Sequence, residues 1–352
     1  MPRTPSGPAL PPGDSCALPH GTVLGRRAFA GLGLAGTALA LGARPASAAT
    51  FPDRPLSVIV PFAPGGATDL AGRLMADRMG PHLGGDGRAV VENKPGAGSA
   101  LGAEYVRRAK PDGYTLLVGS ASTLAVAPAA QPKVAPYNPA EDFTPIAIIG
   151  TSAMGLVVPA ASGIRSVPEL IAKLKKGDGA DGYASSGVGG VSHLASALFC
   201  SMAEAPANHI PYRGGSSVAE ALIKQEVAFA IDQIASIVGQ IRDGALTLLA
   251  VTTTARDPNF PDVPTLAEAG VPGYELSTWT AMVAPKGIPA EVAEALNRAA
   301  NAALQEPAVR ERLSTSGTDP SNGSTLESTR SFLKAQFALF QKVVDRTGLR
   351  ID

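Results

Sequence analysis

The sequence predicts an α/β protein of two doubly wound domains with a ligand cleft between them. Three observations carry that prediction. Short, continuous apolar runs alternate with helix-patterned runs from residue 56 onward. A glycine turn, Pro61-Phe-Ala-Pro-Gly-Gly66, joins the first apolar run to the first helical one. The 352-residue chain is 45% apolar, 17% charged and 5% aromatic, enough length and apolar content for two cores.

The elements follow in order. Strands are expected at 56–60, 89–92, 115–119, 146–149, 155–158, 182–184, 208–210, 228–231 and 247–251. Helices are expected at 69–83, 99–109, 167–176, 192–203, 218–226, 235–243, 290–306 and 325–347. Short apolar strands separated by helices argue for parallel sheets covered on both faces. Strand character resumes at 279–284, before two long helices that would pack back on the first domain. One domain is therefore expected from 50–152 plus 278–352, and the other from 153–277. The chain would cross between them near Ser152 and Ser277, making a hinge.

The N-terminal 48 residues read as an address. Arg26-Arg27, with Phe29 and Leu32 after it, precedes a glycine-rich, weakly apolar run over 28–43 and a small-residue end at Ala48. That order is a cleavable export signal of the twin-arginine type. The alternative is a membrane anchor, but the run is shorter than the ~20 residues a spanning helix needs. Cleavage near Ala48 leaves 26 basic and 29 acidic residues, a slightly acidic exported protein expected in the periplasm. Gly31-Leu-Gly-Leu-Ala-Gly36 matches a dinucleotide fingerprint, but it lies inside the signal with no strand before it.

Several chemistries find no support. Formal net charge is zero and no basic patch interleaves with aromatics, which disfavours nucleic acid. The two cysteines, Cys16 and Cys200, offer no metal spacing, and Cys200 reads as a small buried side chain. Gly190-Val-Ser192-His-Leu194 fails the nucleophile-elbow pattern at its last position. No phosphate-binding loop or zinc motif occurs, so no metal and no cofactor is expected.

Four turns could hold a ligand. In the first, Pro61 and Pro64 end the strand, and Gly65 and Gly66 let backbone approach a guest at a helix start. A helix N-terminus exposes unpaired N–H groups and a positive dipole end, so this turn suits an anion. A generic tight turn is the other reading. Thr68 or Asp69 can cap the helix, and Asp69 would repel an anion if it faced the cleft. The second turn, Gly119-Ser-Ala-Ser-Thr123, puts small hydroxyls at a strand's C-terminal edge, where open α/β sheets bind ligands. The third, Tyr183-Ala-Ser-Ser-Gly-Val-Gly-Gly-Val-Ser-His193, combines three glycines with His193 at a helix start, where it should be neutral. His193 is either a ligand contact or a capping or interdomain residue. In the fourth, Pro211-Tyr-Arg-Gly-Gly-Ser-Ser217, Tyr212 could line the cleft. Arg213 is either a carboxylate partner or a solvated charge. Asp232 ends another strand and suits a ligand amine or hydroxyl, or a bond between domains.

These residues resemble a known family. Val60-Pro-Phe-Ala-Pro-Gly-Gly66 with Asp69, Val91-Glu-Asn-Lys-Pro-Gly-Ala-Gly98, Pro111-Asp-Gly-Tyr-Thr-Leu-Leu117 and Tyr183 through Ala195 carry the first half of the match. Pro211-Tyr-Arg-Gly214, Leu249-Ala-Val-Thr252, Pro261-Asp-Val-Pro-Thr265, Pro272-Gly-Tyr274, Trp279 and Ala284-Pro285 carry the second. In order and spacing they resemble the Bug-type extracytoplasmic receptors of tripartite tricarboxylate transporters, over residues 51–352. The resemblance implies a type II periplasmic-binding-protein-like fold and a non-catalytic solute-binding receptor. It would capture a small organic carboxylate for membrane transport subunits, as a monomer not itself embedded in the membrane. It implies ligand contacts from Phe62, Ala63, Gly65, Gly66 and Thr68, from Ser120 and Ser122, from Ser186, Gly187, Gly189 and His193, and from Tyr212 and Asp232. Arg213 joins them as the cationic candidate. Three departures stand out: Ala127-Pro128 where the family has Asn-Pro, Lys224-Gln-Glu-Val-Ala228 for Gly-Gly-Gln-Val-Asp, and Ser217 for a proline. The first alters one wall of the pocket. An exported sensor for a membrane kinase, or an exported enzyme on the same scaffold, are the alternative functions.

Overall fold

A computed structural model describes residues 51–84 and 87–351. The signal expected over 1–48, with its Arg26-Arg27 pair and cleavage near Ala48, lies outside the described residues. So does the fingerprint at Gly31–Gly36. No described helix is long and apolar enough to cross a membrane.

Eleven strands form two sheets among the described residues. They are β1 (Leu56–Val60), β2 (Ala89–Asn93), β3 (Thr115–Ser120), β4 (Phe143–Ser152), β5 (Met154–Pro159), β6 (Gly182–Ser185), β7 (Asn208–Pro211), β8 (Phe229–Gln233), β9 (Leu246–Val251), β10 (Thr278–Pro285) and β11 (Asp319–Pro320). The helices are α1 (Ala67–Leu83), α2 (Ala100–Arg107), α3 (Ala127–Ala130), α4 (Val167–Gly177), α5 (Val191–Ala203), α6 (Gly215–Ile223), α7 (Ile234–Arg242), α8 (Ala290–Gln305), α9 (Pro307–Thr315) and α10 (Leu326–Thr347). The first sheet has the order β11-β4-β10-β3-β1-β2, and the second β7-β6-β8-β5-β9.

The strands form because their apolar residues serve two cores at once. In β1, Val58 and Val60 pack with Ala71 and Met75 of α1, while Ile59 faces a separate core. That is the period of two a pleated strand imposes. The core behind α1 also takes Leu296 and Ala300 of α8. The core on the other face runs continuously from Ile59 and Leu117 in the first sheet to Leu156, Phe199 and Phe229 around the second. Helix α10 lies along it, burying Leu333, Phe340 and Val344, and touches both β4 and α5. A third, smaller core holds α6 and α7 against the second sheet through Val218, Leu222 and Ile237.

The sheets are mixed rather than parallel throughout. Pairs β1–β2, β1–β3, β6–β7 and β6–β8 are parallel. Strand β10 is antiparallel to β3 and β4, and β5 is antiparallel to β8 and β9. The reason is connectivity. Only Ala153 separates β4 from β5, so the chain passes straight from one sheet into the other. Strand β10 re-enters the first sheet at the same place, with Thr278 opposite Ser152. Strands β5 and β10 leave this junction, while their neighbours run toward it. The C-terminal ends of β1, β3, β6 and β8 therefore collect on either side of the two crossings.

Candidate functional site

The register places the loops. Ser120, at the end of β3, pairs with Thr280, two residues after the crossing at Thr278. Asp232, at the end of β8, pairs with Gly155, two residues after the crossing at Ala153. The side chain of Gln233 reaches across, its Nε2 donating to Thr278 Oγ1 at 3.4 Å. C-terminal strand ends flanking a topological crossing are where open α/β sheets take ligands.

The loop after β1 is open. Ala63, Pro64, Gly65 and Gly66 are exposed, and a Cβ built on Gly65 or Gly66 would meet nothing within 4 Å. Gly65 has φ +93°, which turns the chain into α1. Gly66 is the N-cap and no side chain caps the helix. The N–H groups of Gly66, Ala67 and Thr68 find no acceptor among the described residues. Neither Thr68 nor Asp69 serves as the cap. Thr68 is buried in the first turn.

Asp69 is folded back under the loop instead. Its Oδ2 accepts the Gly65 N–H at 2.9 Å and Arg73 Nε at 2.9 Å, and its Oδ1 accepts Asn93 Nδ2 at 2.8 Å. Asn93 also donates to the Phe62 carbonyl at 3.0 Å, while Phe62 packs against the α1 core. Burial pushes the Asp69 carboxyl up, but the bonds from Arg73, Asn93 and Gly65 outweigh it and hold the group below its ordinary range. The negative charge is thus neutralised behind the loop, and the N–H groups of Gly66, Ala67 and Thr68 stay unpaired.

On the far side, the glycine turn after β6 is pinned from below. Gly187 has φ +154° and Gly189 φ +69°. His193 Nδ1 accepts the Gly189 N–H at 3.3 Å, so that nitrogen carries no proton. The His193 ring stacks on His209 at 3.5 Å between centroids, and Tyr183 stacks on His209 in turn. Burial, with His209 beside it, pushes His193 down to about 4. His209 meets Ser185 Oγ at 2.6 Å. Ser185 is fully buried, and its hydroxyl also lies within hydrogen-bond distance of the Gly187 carbonyl, at 3.1 Å. Burial pushes the Cys200 thiol up to about 12, which disfavours the thiolate.

The remaining residues fall in different places. Ser122 joins the two sides: its Oγ accepts the Val191 N–H of α5 at 3.0 Å. Ser120 is buried at the β3 edge, and Ser186 is half-buried beside Gly187. Asp232 is 2% exposed. Burial raises its carboxyl to about 6, with the Gln233 amide and the Ser186 and Ser192 hydroxyls acting against it. Its Oδ1 accepts the Gln233 N–H at 2.7 Å, while Oδ2 has no hydrogen-bond partner. The Tyr212 hydroxyl turns away to Glu226, at 3.2 Å. Arg213 is exposed and has no partner among the described residues.

Phe62 to Thr68, Ser120, Ser186 to Gly189 and Asp232 lie at or just after the C-terminal ends of β1, β3, β6 and β8, Ser122 reaches the start of α5 and Gly189 bonds to His193, whereas the Tyr212 hydroxyl pairs with Glu226. Residues that sequence reasoning missed are Asn93, which holds the first loop, His209, which stacks on His193 and meets Ser185 at the third, and the buried polar side chains of Ser99 and Gln131. Asn93 lies within the motif Val91-Glu-Asn-Lys-Pro-Gly and was legible as part of it. The others carry no local signal.

Comparison with known proteins gives a consistent result. The model of the tripartite tricarboxylate transporter family receptor matches residues 72–349. Protein BugT of Bordetella pertussis is 36% identical over 310 residues, covering 88% of this chain and 94% of that protein. The solved structure of the periplasmic binding protein BugD is similar at TM-score 0.77 and 32% identity, covering 85% of this chain and 99% of BugD. MatC from Rhodopseudomonas palustris, solved with bound malate, matches at TM-score 0.77 and 32% identity, covering 84% of this chain and 100% of MatC.

Proposed function

Because the chain belongs to the tripartite tricarboxylate transporter receptor family, we propose that it is a periplasmic solute-binding protein that closes on a small organic carboxylate and hands it to membrane transport subunits. The observation that carries this reading is the open loop at 63–66 leading into α1, where the N–H groups of Gly66, Ala67 and Thr68 are unpaired while Asp69, which takes the Gly65 N–H, is neutralised behind them. Backbone N–H groups at a helix N-terminus bind a carboxylate without lysine, arginine or metal. The two sheets act as two lobes, 50–152 with 278–352 and 153–277, hinged at the crossings. Closure brings the glycine turn of the second lobe onto the guest and excludes water, which strengthens the amide–carboxylate bonds.

The ligand set on the first lobe is Phe62, Ala63, Gly65, Gly66 and Thr68, with Ser120 and Ser122. On the second it is Ser186, Gly187, Gly189, His193 and Asp232. Malate bound to MatC supports a hydroxy acid or diacid as the class of guest. The periplasmic setting is supported by the export signal in the sequence and by the periplasmic description of BugD. The protein acts as a receptor and not as an enzyme, and as a monomer. The full burial of Ser185 supports the absence of turnover.

A melting-shift panel tests the function. Dicarboxylates, hydroxy acids and aromatic acids should raise the melting temperature, with about 2.7 kcal/mol of stabilisation at one hundred times Kd. Neutral sugars and cationic amino acids should leave it unchanged. A shift with sugars or cationic amino acids and none with acids would overturn the reading.

A further inference from the structure

Gln131 is the least explained residue near the junction. It caps α3, and its carbonyl accepts the N–H groups of Val134 and Ala135 at 3.0 and 2.9 Å, which fixes its backbone. Its side chain is wedged between loops from opposite sheets. A Cβ on Gly189, in the turn after β6, would lie 2.0 Å from Gln131 Nε2. A Cβ on Gly98, in the loop after β2, would lie 3.1 Å from the same atom. Both glycines are left without side chains where this amide needs the room. Yet Gln131 is 6% exposed and Nε2 has no hydrogen-bond partner. An amide donor so buried is normally paired.

A second orphan lies beside it in the chain segment that touches it. Ala97, Gly98 and Ser99 have φ of +48°, +62° and +84°. Two of the three are not glycine, and left-handed backbone at such residues persists only where the surroundings hold it. This turn places Ser99 3% exposed, with an Oγ that also has no partner. Strained backbone and two unpaired donors thus lie in segments packed against the glycine turn after β6, which Gly98 approaches at the Val188 carbonyl and Gln131 at Gly189.

We propose that Gln131 and Ser99 form a neutral donor subsite that reads an acceptor group, most simply a second carboxylate, at the end of the guest remote from the α1 amides. This rests on the carboxylate-receptor reading above and deepens it. The subsite carries no charge of its own, so it selects by geometry: a guest lacking the distal acceptor leaves both donors buried and unpaired.

Paired acids of equal chain length test it: succinate with butyrate, malate with 2-hydroxybutyrate, glutarate with pentanoate and adipate with hexanoate, each titrated by calorimetry. The wild type should bind at least one diacid ten or more times more tightly than its monoacid partner. Gln131→Leu should bring that ratio within about threefold by weakening the diacid alone. Ser99→Gly relieves the left-handed strain, so it should fold at least as well as the wild type and still lose part of the ratio, which guards against mere misfolding. An unchanged ratio in both variants, or a wild type that binds diacids and monoacids alike, overturns the subsite while leaving the receptor intact. A wild type that binds none of the eight acids overturns the subsite, and one that also responds to no acid of the melting panel overturns the receptor reading itself.

Discussion

Asp69 and Asn93 decide the shape of the first loop. Asn93 holds the Phe62 carbonyl and Asp69 Oδ1 together, and receives Arg73 Nη2 on its own oxygen at 3.0 Å. Asn93→Ala should leave Asp69 Oδ1 buried and unpaired and cost about 1–3 kcal/mol in urea unfolding. It should also weaken carboxylate binding, because Gly65 and Gly66 lose their support. Asp69 is held low, so the stability it adds is present above its ordinary value of 3.8 and is lost as pH falls through the lowered one. His193 has the same sense with the opposite charge. Its folded value of about 4 lies below the ordinary 6.5, so it favours the native state above pH 6.5 and loses that contribution as pH falls toward 4. The size is on the order of 3 kcal/mol. His193→Asn keeps an acceptor for Gly189 but takes up no proton. Unfolding measured between pH 7 and 4 should therefore decline less in this variant than in the wild type; an equal decline would show that His193 does not titrate in this way. Asp232 opposes this trend: its folded value of about 6 lies above 3.8, so its effect favours the native state at low pH and fades as pH rises through 6.

Among the elements, the segment after β3 was the hardest to read. Ser122–Val126 forms a π-helical turn that runs into α3, and every residue from 121 to 130 is buried. A helix buried all round shows no amphipathic period, so the sequence offered hydroxyls and small apolar residues without a shape. Wide turns of this kind favour functional sites, and this one presents Ser122 to α5. Helix α9 was overlooked for a different reason. It buries only Val309 and Leu313, and its signal was Pro307 at the first helical position, directly after α8. The long elements were legible because their apolar residues recur at the right period, as in α10. There, Leu333→Ala should destabilise the protein by about 2–5 kcal/mol in chemical denaturation. The cost is expected to be high because α10 seals the core shared by both sheets.

At the scale of the whole molecule, alternating apolar and helical segments made the α/β class legible, and the continuous apolar runs could not reveal strand direction. A buried antiparallel strand reads like a buried parallel one. Direction follows from the crossings, where one residue links β4 to β5 and β10 returns beside Ser152. Site residues grouped in motifs at strand ends were legible for the same reason the strands were. Gln131, Ser99 and His209 act through neighbours distant in sequence, and no local pattern announces them.

The claim beneath all of this is that main-chain amides at the start of α1 hold the carboxylate, and Ala67→Pro tests it most directly. Proline suits the first helical position, and Gly66 before it already has φ −83° and ψ 171°, which a following proline favours. The variant should melt like the wild type, yet bind the wild type's best acid, as measured by calorimetry, at least about tenfold more weakly. Unchanged affinity in a fully folded Ala67→Pro protein would contradict the claim.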